Sequence, residues 1–469
     1  MPELPEVETV KNLLNKIVVG HSIKSIDVLR KQNIEGDSTT FVNALIGQKY
    51  LSVSRKGKFL LFHLTNNVVV LSHLRMEGKY YEYDEGEPNS KYARVVFHLD
   101  NNKKLIYDDS RTFGIMKLLD EDNYLLDKGL AKLGPEPFDV TDVSPIYKKA
   151  QKIKLPIKTA LLSQELITGL GNIYVDETLY KAKIHPHTPT YLISKKQWEE
   201  IIKDASYVMK KAIEMGGSTI KSYHPGKDID GNFQNELKIY GKAGETCPDC
   251  GHTFRFITTN GRGTTFCPVC QTKLGTPINV ALTGKIASGK SSVLNTFKDN
   301  GCYTISTDEI VKELYQQKDM AKQIEKLFNL SFIDNKVDKD VLRQHLIDNP
   351  KDKKKLERYI HPLVIKETER LLQSNKDSIR VVEVPLLFES KMDRMFDTII
   401  VVDSKDNNRL KHQKSRDGGN APALEKINSS SIIDERIQEA EFIINNNGSL
   451  ENLNIETQKI INKLKSRLG

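Results

Sequence analysis

The sequence predicts a multidomain chain: an N-terminal β-sandwich, a helical segment closed by a cysteine-pinned β-hairpin, and an α/β domain built on a parallel sheet. Three observations carry this prediction. Between residues 17 and 120, short alternating or apolar runs such as KFLLFHL, NVVVLSHL, ARVVFHL and KLIYDD are separated by Gly, Asn and Asp, the pattern of an antiparallel sandwich. Cys247, Cys250, Cys267 and Cys270 form two Cys-x-x-Cys pairs sixteen residues apart. Finally, NVALTGKIASGKSS reads as a buried strand, a glycine loop and a helix. The later runs CYTIS, IRVVEVPLLF, TIIVVD and EFIINN alternate with helical segments, as a parallel sheet covered on both faces requires.

At 469 residues the chain exceeds one ordinary core, given roughly 100 to 200 residues per domain. Hydrophobic residues at 38% and charged residues at 28% describe a soluble globular protein, and no apolar run is long enough to cross a bilayer. The acidic start MPELPEVETV is unlike a secretory signal, so a cytoplasmic protein is expected, with no membrane partner. The net charge of +8 is unevenly spread: residues 151 to 275 carry 17 basic against 12 acidic side chains, which makes that segment the better candidate for nucleic-acid contact. In a reducing compartment paired cysteines point to metal rather than disulfides, and the fifth cysteine, Cys302, reads as core. Mild breaks fall at LGPEPFDVTDVSP (133–145) and at QTKLGTP (271–277), the second being the major seam.

MPELPEVETVKNLLNKI carries apolar residues at helical spacing and reads as a helix entered through two prolines. A small residue after the initiator Met favours Met removal, which would leave Pro2 as a secondary amine. A terminal amine with an ordinary pKa of about 7.7 to 8.0 is partly unprotonated at neutral pH and is a candidate covalent nucleophile toward a sugar carbon. Glu3 and Glu6 stand beside it as proton donors or acceptors. The same residues also fit a proline-bounded helix start whose acids favour the helix dipole.

Further along, residues 155 to 215 are helical in period but interrupted by TGLGN, where a turn at a helix start offers a phosphate seat or a plain helix break. The four cysteines suit a closed tetrahedral zinc site, one Zn²⁺ per chain, and their spacer GHTFRFITTNGRGTTF reads as a hairpin turning at Asn260-Gly261 with Arg262 at its tip. Gly284, Ser288, Gly289, Lys290 and Ser291 lie in a complete G-x-x-x-x-G-K-S behind a strand. Its amides would cradle ATP phosphates, Lys290 would reach the β and γ phosphates, and the Ser291 hydroxyl would bind Mg²⁺. Asp308, just past the second strand of this half, is placed to act as base toward an acceptor hydroxyl or to cap a helix.

The blocks PELPEVET, SRKGKFLLF, HLRMEGKY, DSRTFG, LGPEP, GLGNIYVDETLYKAKIHP, GGSTIKSY, FQNELKIYGKAGETC and GRGTTFCPVCQ, in this order over residues 1 to about 272, resemble formamidopyrimidine-DNA glycosylases. The resemblance implies a monomeric enzyme that removes oxidised purines from double-stranded DNA and cleaves the strand by β,δ-elimination. It implies Pro2 as nucleophile, Glu3 assisting sugar ring opening, Glu6 as supporting acid and Lys58 near the damaged nucleotide. Met76, Arg111 and Phe113 would fill the void left by the extruded base; read singly, Met76 and Phe113 would be sandwich core. Lys158 and Asn172 would grip phosphates within a helix-two-turn-helix, Arg262 would touch phosphate from the zinc hairpin, and Ser218, Thr219 and Tyr223 lie in the loop over the extruded base.

ALTGKIASGKS, ISTDEIVKELY, LERYIHPLV and VVEVPLLFES resemble dephospho-CoA kinase in order and spacing. This implies an α/β P-loop kinase that phosphorylates the ribose 3′-hydroxyl of dephospho-CoA with ATP, Asp308 being the base and His361-Pro362 lying on the substrate side. The family's second loop glycine is Lys285 here, and its lid arginines correspond in type to Arg409 and Arg416 at a spacing longer by three. The expected domains are thus 1–135 (glycosylase sandwich), 145–240 (helix-two-turn-helix), 241–272 (zinc finger) and 278–469 (kinase-like). An active glycosylase carrying an inactive or repurposed nucleotide-binding module is the alternative.

Overall fold

The computed structural model describes residues 2–218, 231–406, 408–409 and 432–468. The chain divides into two compact units, Met1–Lys242 and Ala243–Gly469.

The first unit opens with the helix Leu4–Ile17, capped by a reciprocal pair in which Glu3 and Glu6 each accept the other's backbone N–H. Nine strands follow: β1 (Ile23–Val28), β2 (Ile34–Glu35), β3 (Tyr50–Lys56), β4 (Phe59–Leu64), β5 (Val68–His73), β6 (Lys79–Asp84), β7 (Ala93–Leu99), β8 (Lys103–Asp108) and β9 (Ile115–Asp120). They form two sheets, ordered β1-β7-β8-β6 and β2-β9-β5-β4-β3. Pairing is antiparallel apart from the short β2–β9 contact. Side chains alternate across each strand, so Val95, Phe97 and Leu105 enter the sandwich core with Leu60, Phe62 and Val70, while Val96 and Ile106 form a smaller cluster elsewhere. The helical part is built from Ile157–Leu162, Asn172–Lys181 and Lys195–Glu214 around the fully buried Trp198. Ser194 caps the last of these helices through a capping box with Gln197.

The N-terminal helix joins the two cores. Leu4 packs into the helical cluster, whereas Val7, Val10 and Leu14 pack into the sandwich. The Leu4 N–H also donates to Gly169 O at 3.1 Å. A side chain at Gly169 would meet Leu4, and its φ of +99° favours glycine as well. The first residues of the chain are therefore held where sandwich and helices meet.

The second unit contains the hairpin β10 (Arg255–Thr259) and β11 (Arg262–Phe266) and a five-stranded sheet of β12 (Ile278–Gly284), β13 (Tyr303–Ser306), β14 (Ile379–Glu383), β15 (Thr398–Asp403) and β16 (Phe442–Asn445). The sheet order is β13-β14-β12-β15-β16 and every pair is parallel, as the alternating pattern predicts. Both faces are covered. Val280, Leu282, Ile400 and Val402 meet the helices Lys290–Asp299 and Leu450–Lys465, while Ala281, Val382, Ile399 and Val401 meet Thr307–Tyr315, Lys318–Phe328 and Asp352–Ser374. Cys302 is a buried core residue, as expected.

Candidate active sites and zinc centre

The turn before Asn172–Lys181 presents free backbone N–H groups at a helix start, and in this structure a carboxylate occupies them. Glu3 accepts from Gly171 N at 2.6 Å, Ile173 N at 2.9 Å and Tyr174 N at 3.3 Å. These amides, read from the sequence as a possible phosphate seat, thus fix an acid of the N-terminal segment instead. A side chain at Gly171 would strike the Glu3 carboxylate. Lys58, on the β3–β4 turn, is buried and donates to Leu170 O in the same turn at 2.7 Å. Burial, opposed by Lys58 and reinforced by Glu6, holds the Glu3 carboxyl above the ordinary glutamate range. Glu6 accepts from Tyr174 Oη at 2.6 Å, Ser218 N at 2.8 Å and Glu3 N at 2.8 Å. Pro2 is buried at the head of this network. Thr219 and Tyr223 lie outside the described residues.

Met76, Arg111 and Phe113 stand on two turns held together from behind. The Tyr107 hydroxyl fills the space beside Gly78 and Gly114; a Cβ would lie 2.3 Å from it at the first and 1.6 Å at the second. Asp109 fastens the second turn by accepting from Arg111 N at 3.0 Å and Gly114 N at 2.8 Å. On the first, His73 Nδ1 accepts from Arg75 N at 3.0 Å, which needs a neutral ring; burial, then Arg75 and Lys58, pull this imidazole down to about 3. Phe113 is 54% exposed with the Arg111 guanidinium 5.0 Å from its ring centroid, and Met76 is partly exposed, so neither is plain sandwich core.

Lys158 differs from expectation. Its side chain has no solvent exposure and its ammonium pairs with Asp176 at 2.7 Å, so the cation read as a phosphate grip is neutralised inside the helical core. Helical geometry explains this: Ile157–Leu162 packs against Asn172–Lys181, and Lys158 sits between Ile157 before it and Leu161 one turn on, both of that core. Asn172 is the first residue of its helix, directly after the turn, as read from the sequence.

In the second unit the four cysteine sulfurs lie within 4.8 Å of one another, with Cys250–Cys267 at 3.4 Å and Cys247–Cys270 at 3.9 Å. A tetrahedron with Zn–S bonds of about 2.3 Å has edges of about 3.8 Å, so the site fits structural zinc. Between the pairs, β10 and β11 turn at Asn260 (φ 47°) and Gly261 (φ 72°), the left-handed pair of a two-residue hairpin, with Arg262 exposed beyond it.

The glycine loop runs from Gly284 at the end of β12 to Gly289 ahead of Lys290–Asp299. Lys290 Nζ donates to the carbonyls of Gly284 and Lys285, each at 2.9 Å. Ser288 is fully buried, and its carbonyl accepts from Asn446 Nδ2 at 2.9 Å. A Cβ at Gly289 would lie 2.4 Å from that same nitrogen. Ser291, Asn295 and Lys312 help line a cavity of about 710 Å³. Asp308, in the first turn of Thr307–Tyr315, is exposed and lines both this cavity and an apolar one of about 260 Å³ with His361, Val364, Leu386 and Met392. The helix cap position belongs to Ser306, not to Asp308. Arg409 is buried and pairs with Asp406 at 2.6 Å, while Arg416 lies outside the described residues.

Sequence reasoning missed three residues. Tyr174 holds Glu6; its signal was its position one helical turn after GLG. Glu383, the last residue of β14, stands beside the loop strand β12, where burial, opposed by Lys290, holds its carboxyl above the ordinary glutamate range. An acid ending a strand next to the phosphate-loop strand was the available signal. Arg255 is buried at the root of the zinc hairpin, and nothing local distinguishes it from a surface strand arginine.

A sandwich and helices closing on an N-terminal acid network, with a four-cysteine hairpin and a parallel phosphate-loop unit, define a DNA-repair enzyme joined to a nucleotide-dependent kinase. The chain belongs to the formamidopyrimidine-DNA glycosylase family. Family models match the formamidopyrimidine-DNA glycosylase N-terminal domain at residues 1–116, its H2TH domain at 133–224, the zinc finger found in FPG and IleRS at 244–273, and dephospho-CoA kinase at 278–452. The formamidopyrimidine-DNA glycosylase of an Exiguobacterium species is 43% identical over 274 residues, 58% of this chain and 99% of that protein. That of Streptococcus pneumoniae R6 is 43% identical over 275 residues, again 58% and 99%. Among solved structures, wild-type Lactococcus lactis Fpg with N7-benzyl-Fapy-dG DNA superposes with a TM-score of 0.55 at 40% identity, and the same protein with abasic-site DNA at 0.55 and 39%. Each covers 58% of this chain and 100% of the other. The protein is therefore a fusion of a formamidopyrimidine-DNA glycosylase with a dephospho-CoA kinase. No helix among the described residues is long and apolar enough to cross a membrane.

Proposed function

We propose that, after removal of Met1, the Pro2 nitrogen attacks C1′ of an oxidised purine nucleotide in duplex DNA. Its lone pair forms the N–C1′ bond as the base leaves with the glycosidic electrons and a proton. Sugar ring opening then gives an iminium, from which β- and δ-elimination cleave the strand. The observation that carries this reading is the Glu3 carboxyl, buried, raised and fixed by three backbone amides next to Pro2, where it can supply the proton that opens the ring. Glu6 and Tyr174 hold the segment, and Lys58 supplies the neighbouring positive charge. Met76, Arg111 and Phe113 would occupy the space of the extruded base, while Asn172 and Arg262 would contact phosphate. For Lys158 we propose a supporting role through Asp176 rather than direct contact.

The kinase half would take ATP on Gly284, Ser288, Gly289, Lys290 and Ser291 and the acceptor in the apolar cavity, with Asp308 receiving the hydroxyl proton between them. Oxygen donors at Ser291 and Glu383 suit Mg²⁺, which would neutralise phosphate charge. Both reactions suit a cytoplasmic protein.

Borohydride trapping on 8-oxoguanine duplex DNA tests the first half: no covalent adduct, or an adduct that persists when Pro2 is substituted, refutes the proline mechanism. Phosphorylation of dephospho-CoA that is lost in Lys290→Ala supports the second. No turnover by the intact chain would leave the C-terminal module as a nucleotide-binding part only.

A further inference from the structure

The zinc hairpin lies in the same compact unit as the kinase sheet, and one side chain at its root is spent on the kinase. Arg255, 1% exposed, donates to Asp393 O and Phe396 O at 2.8 Å each and to Asp397 O at 3.2 Å. Its guanidinium lies 5.1 Å from the Phe266 ring centroid. Three carbonyls from five consecutive residues, taken by one planar cation, fix the path of that segment more tightly than packing alone. The Asp393 carboxylate is held as well, by Arg436 at 3.1 Å, and Asp397 pairs with Lys273 at 2.7 Å. Thr253 N donates to Gln438 O at 3.0 Å, and Arg394 stacks over Phe256 at 5.0 Å.

The segment so held is the turn Met392–Met395 with its exit into β15. Met392, adjacent to Asp393, lines the apolar cavity together with Ser390, Asp308 and His361. We propose that Arg255 is a positioning residue for the kinase reaction: by gripping residues 393–397 it sets the Met392 wall of the acceptor cavity, and so makes the zinc hairpin a structural part of the acceptor site. The proposal rests on the reading of that cavity as the dephospho-CoA side. The glycine loop forms a different cavity, so nucleotide binding should be insensitive to Arg255.

The test uses the full-length chain with Arg255→Met and Arg255→Lys, assayed with each substrate varied in turn, alongside amide hydrogen exchange. Arg255→Met should raise KM for dephospho-CoA about tenfold, the scale of one or two net hydrogen bonds, with KM for ATP and kcat within about twofold. Arg255→Lys should fall between it and the parent. Exchange should quicken across 392–397 and not across the glycine loop. A merely structural brace predicts equal damage to both substrates, and that result, or an unchanged KM for dephospho-CoA, overturns the proposal. Should Arg255→Met fail to fold, Arg255→Lys decides by the same split. If the parent chain has no kinase turnover, the kinase reading has failed by itself, and calorimetric affinities for dephospho-CoA and ATP replace the two KM values with the same expected and overturning results.

Discussion

Replacing Lys158 by Met separates a phosphate contact from a structural ion pair. The parent pair is wholly buried, with side-chain exposures of 0% and 1% and an N–O distance of 2.7 Å. Removing one partner strands a buried carboxylate, which costs about 3 to 5 kcal/mol; replacing both by apolar residues is close to neutral. In a unit of this size each kcal/mol moves Tm by roughly 2 to 4 °C, so Lys158→Met should lower the unfolding midpoint of the glycosylase unit by roughly 6 to 20 °C. The double variant Lys158→Met/Asp176→Leu should recover most of that loss. A phosphate-gripping lysine behaves differently: stability hardly moves, while the slope of log affinity for duplex DNA against log salt becomes shallower by about 0.9. Calorimetry of the three variants and a salt titration of DNA binding measure both quantities. A single variant as stable as the parent but with the shallower salt slope would refute the buried-pair account.

Other expectations follow from the same geometry. Native His73 stays neutral to about 3 while the unfolded imidazole protonates below its ordinary 6.5, so its contribution is complete above 6.5 and is lost as pH falls; between pH 7.5 and 5 the glycosylase unit should lose about 2 kcal/mol by this route. Denaturant unfolding at the two pH values should show the parent losing that much more than His73→Gln, and equal losses would contradict a neutral His73. Phe113→Ala should change unfolding stability by less than about 0.5 kcal/mol, because the ring is exposed, yet weaken binding to lesion duplex about tenfold or more if the ring fills an unstacked base step. In Gly289→Ala the new Cβ meets Asn446 in a left-handed backbone, so ATP affinity measured by calorimetry should fall about tenfold or more while DNA strand cleavage is untouched.

Much of the architecture was readable in the chain because most elements announced themselves by period. The sheet of the second unit is an example: CYTIS, IRVVEVPLLF, TIIVVD and EFIINN each contain a parallel strand, the inner strands β14 and β15 being buried on both faces and the edge strand β16 alternating between buried and exposed. The Asn260-Gly261 turn was equally legible, because few other dipeptides accept two left-handed residues. What sequence could not supply was partnership across long separations. That Leu4 enters one core and Val7 another depends on how the helix is laid against both. The amides of GLGN advertised an anion site, but whether phosphate or the protein's own Glu3 fills it is a tertiary matter. Lys158 shows the same limit, since a lysine three residues into a helical run looks alike whether it faces solvent or Asp176. β2, two residues long and paired in parallel with β9, has no periodic signature at all.

The Tyr107 hydroxyl wedged between Gly78 and Gly114 has an evolutionary consequence. A substituent at either glycine pushes on the same oxygen, but at Gly78 it would also lie 2.6 Å from the Leu74 carbonyl oxygen, so a smaller residue at 107 frees the Gly114 turn and not the Gly78 turn. Positions 107 and 114 should therefore drift as a pair while Gly78 stays fixed: lineages that abandon Gly114 should be those that have also replaced the tyrosine, and a library randomised at all three should return compensated changes at 107 and 114 with glycine retained at 78.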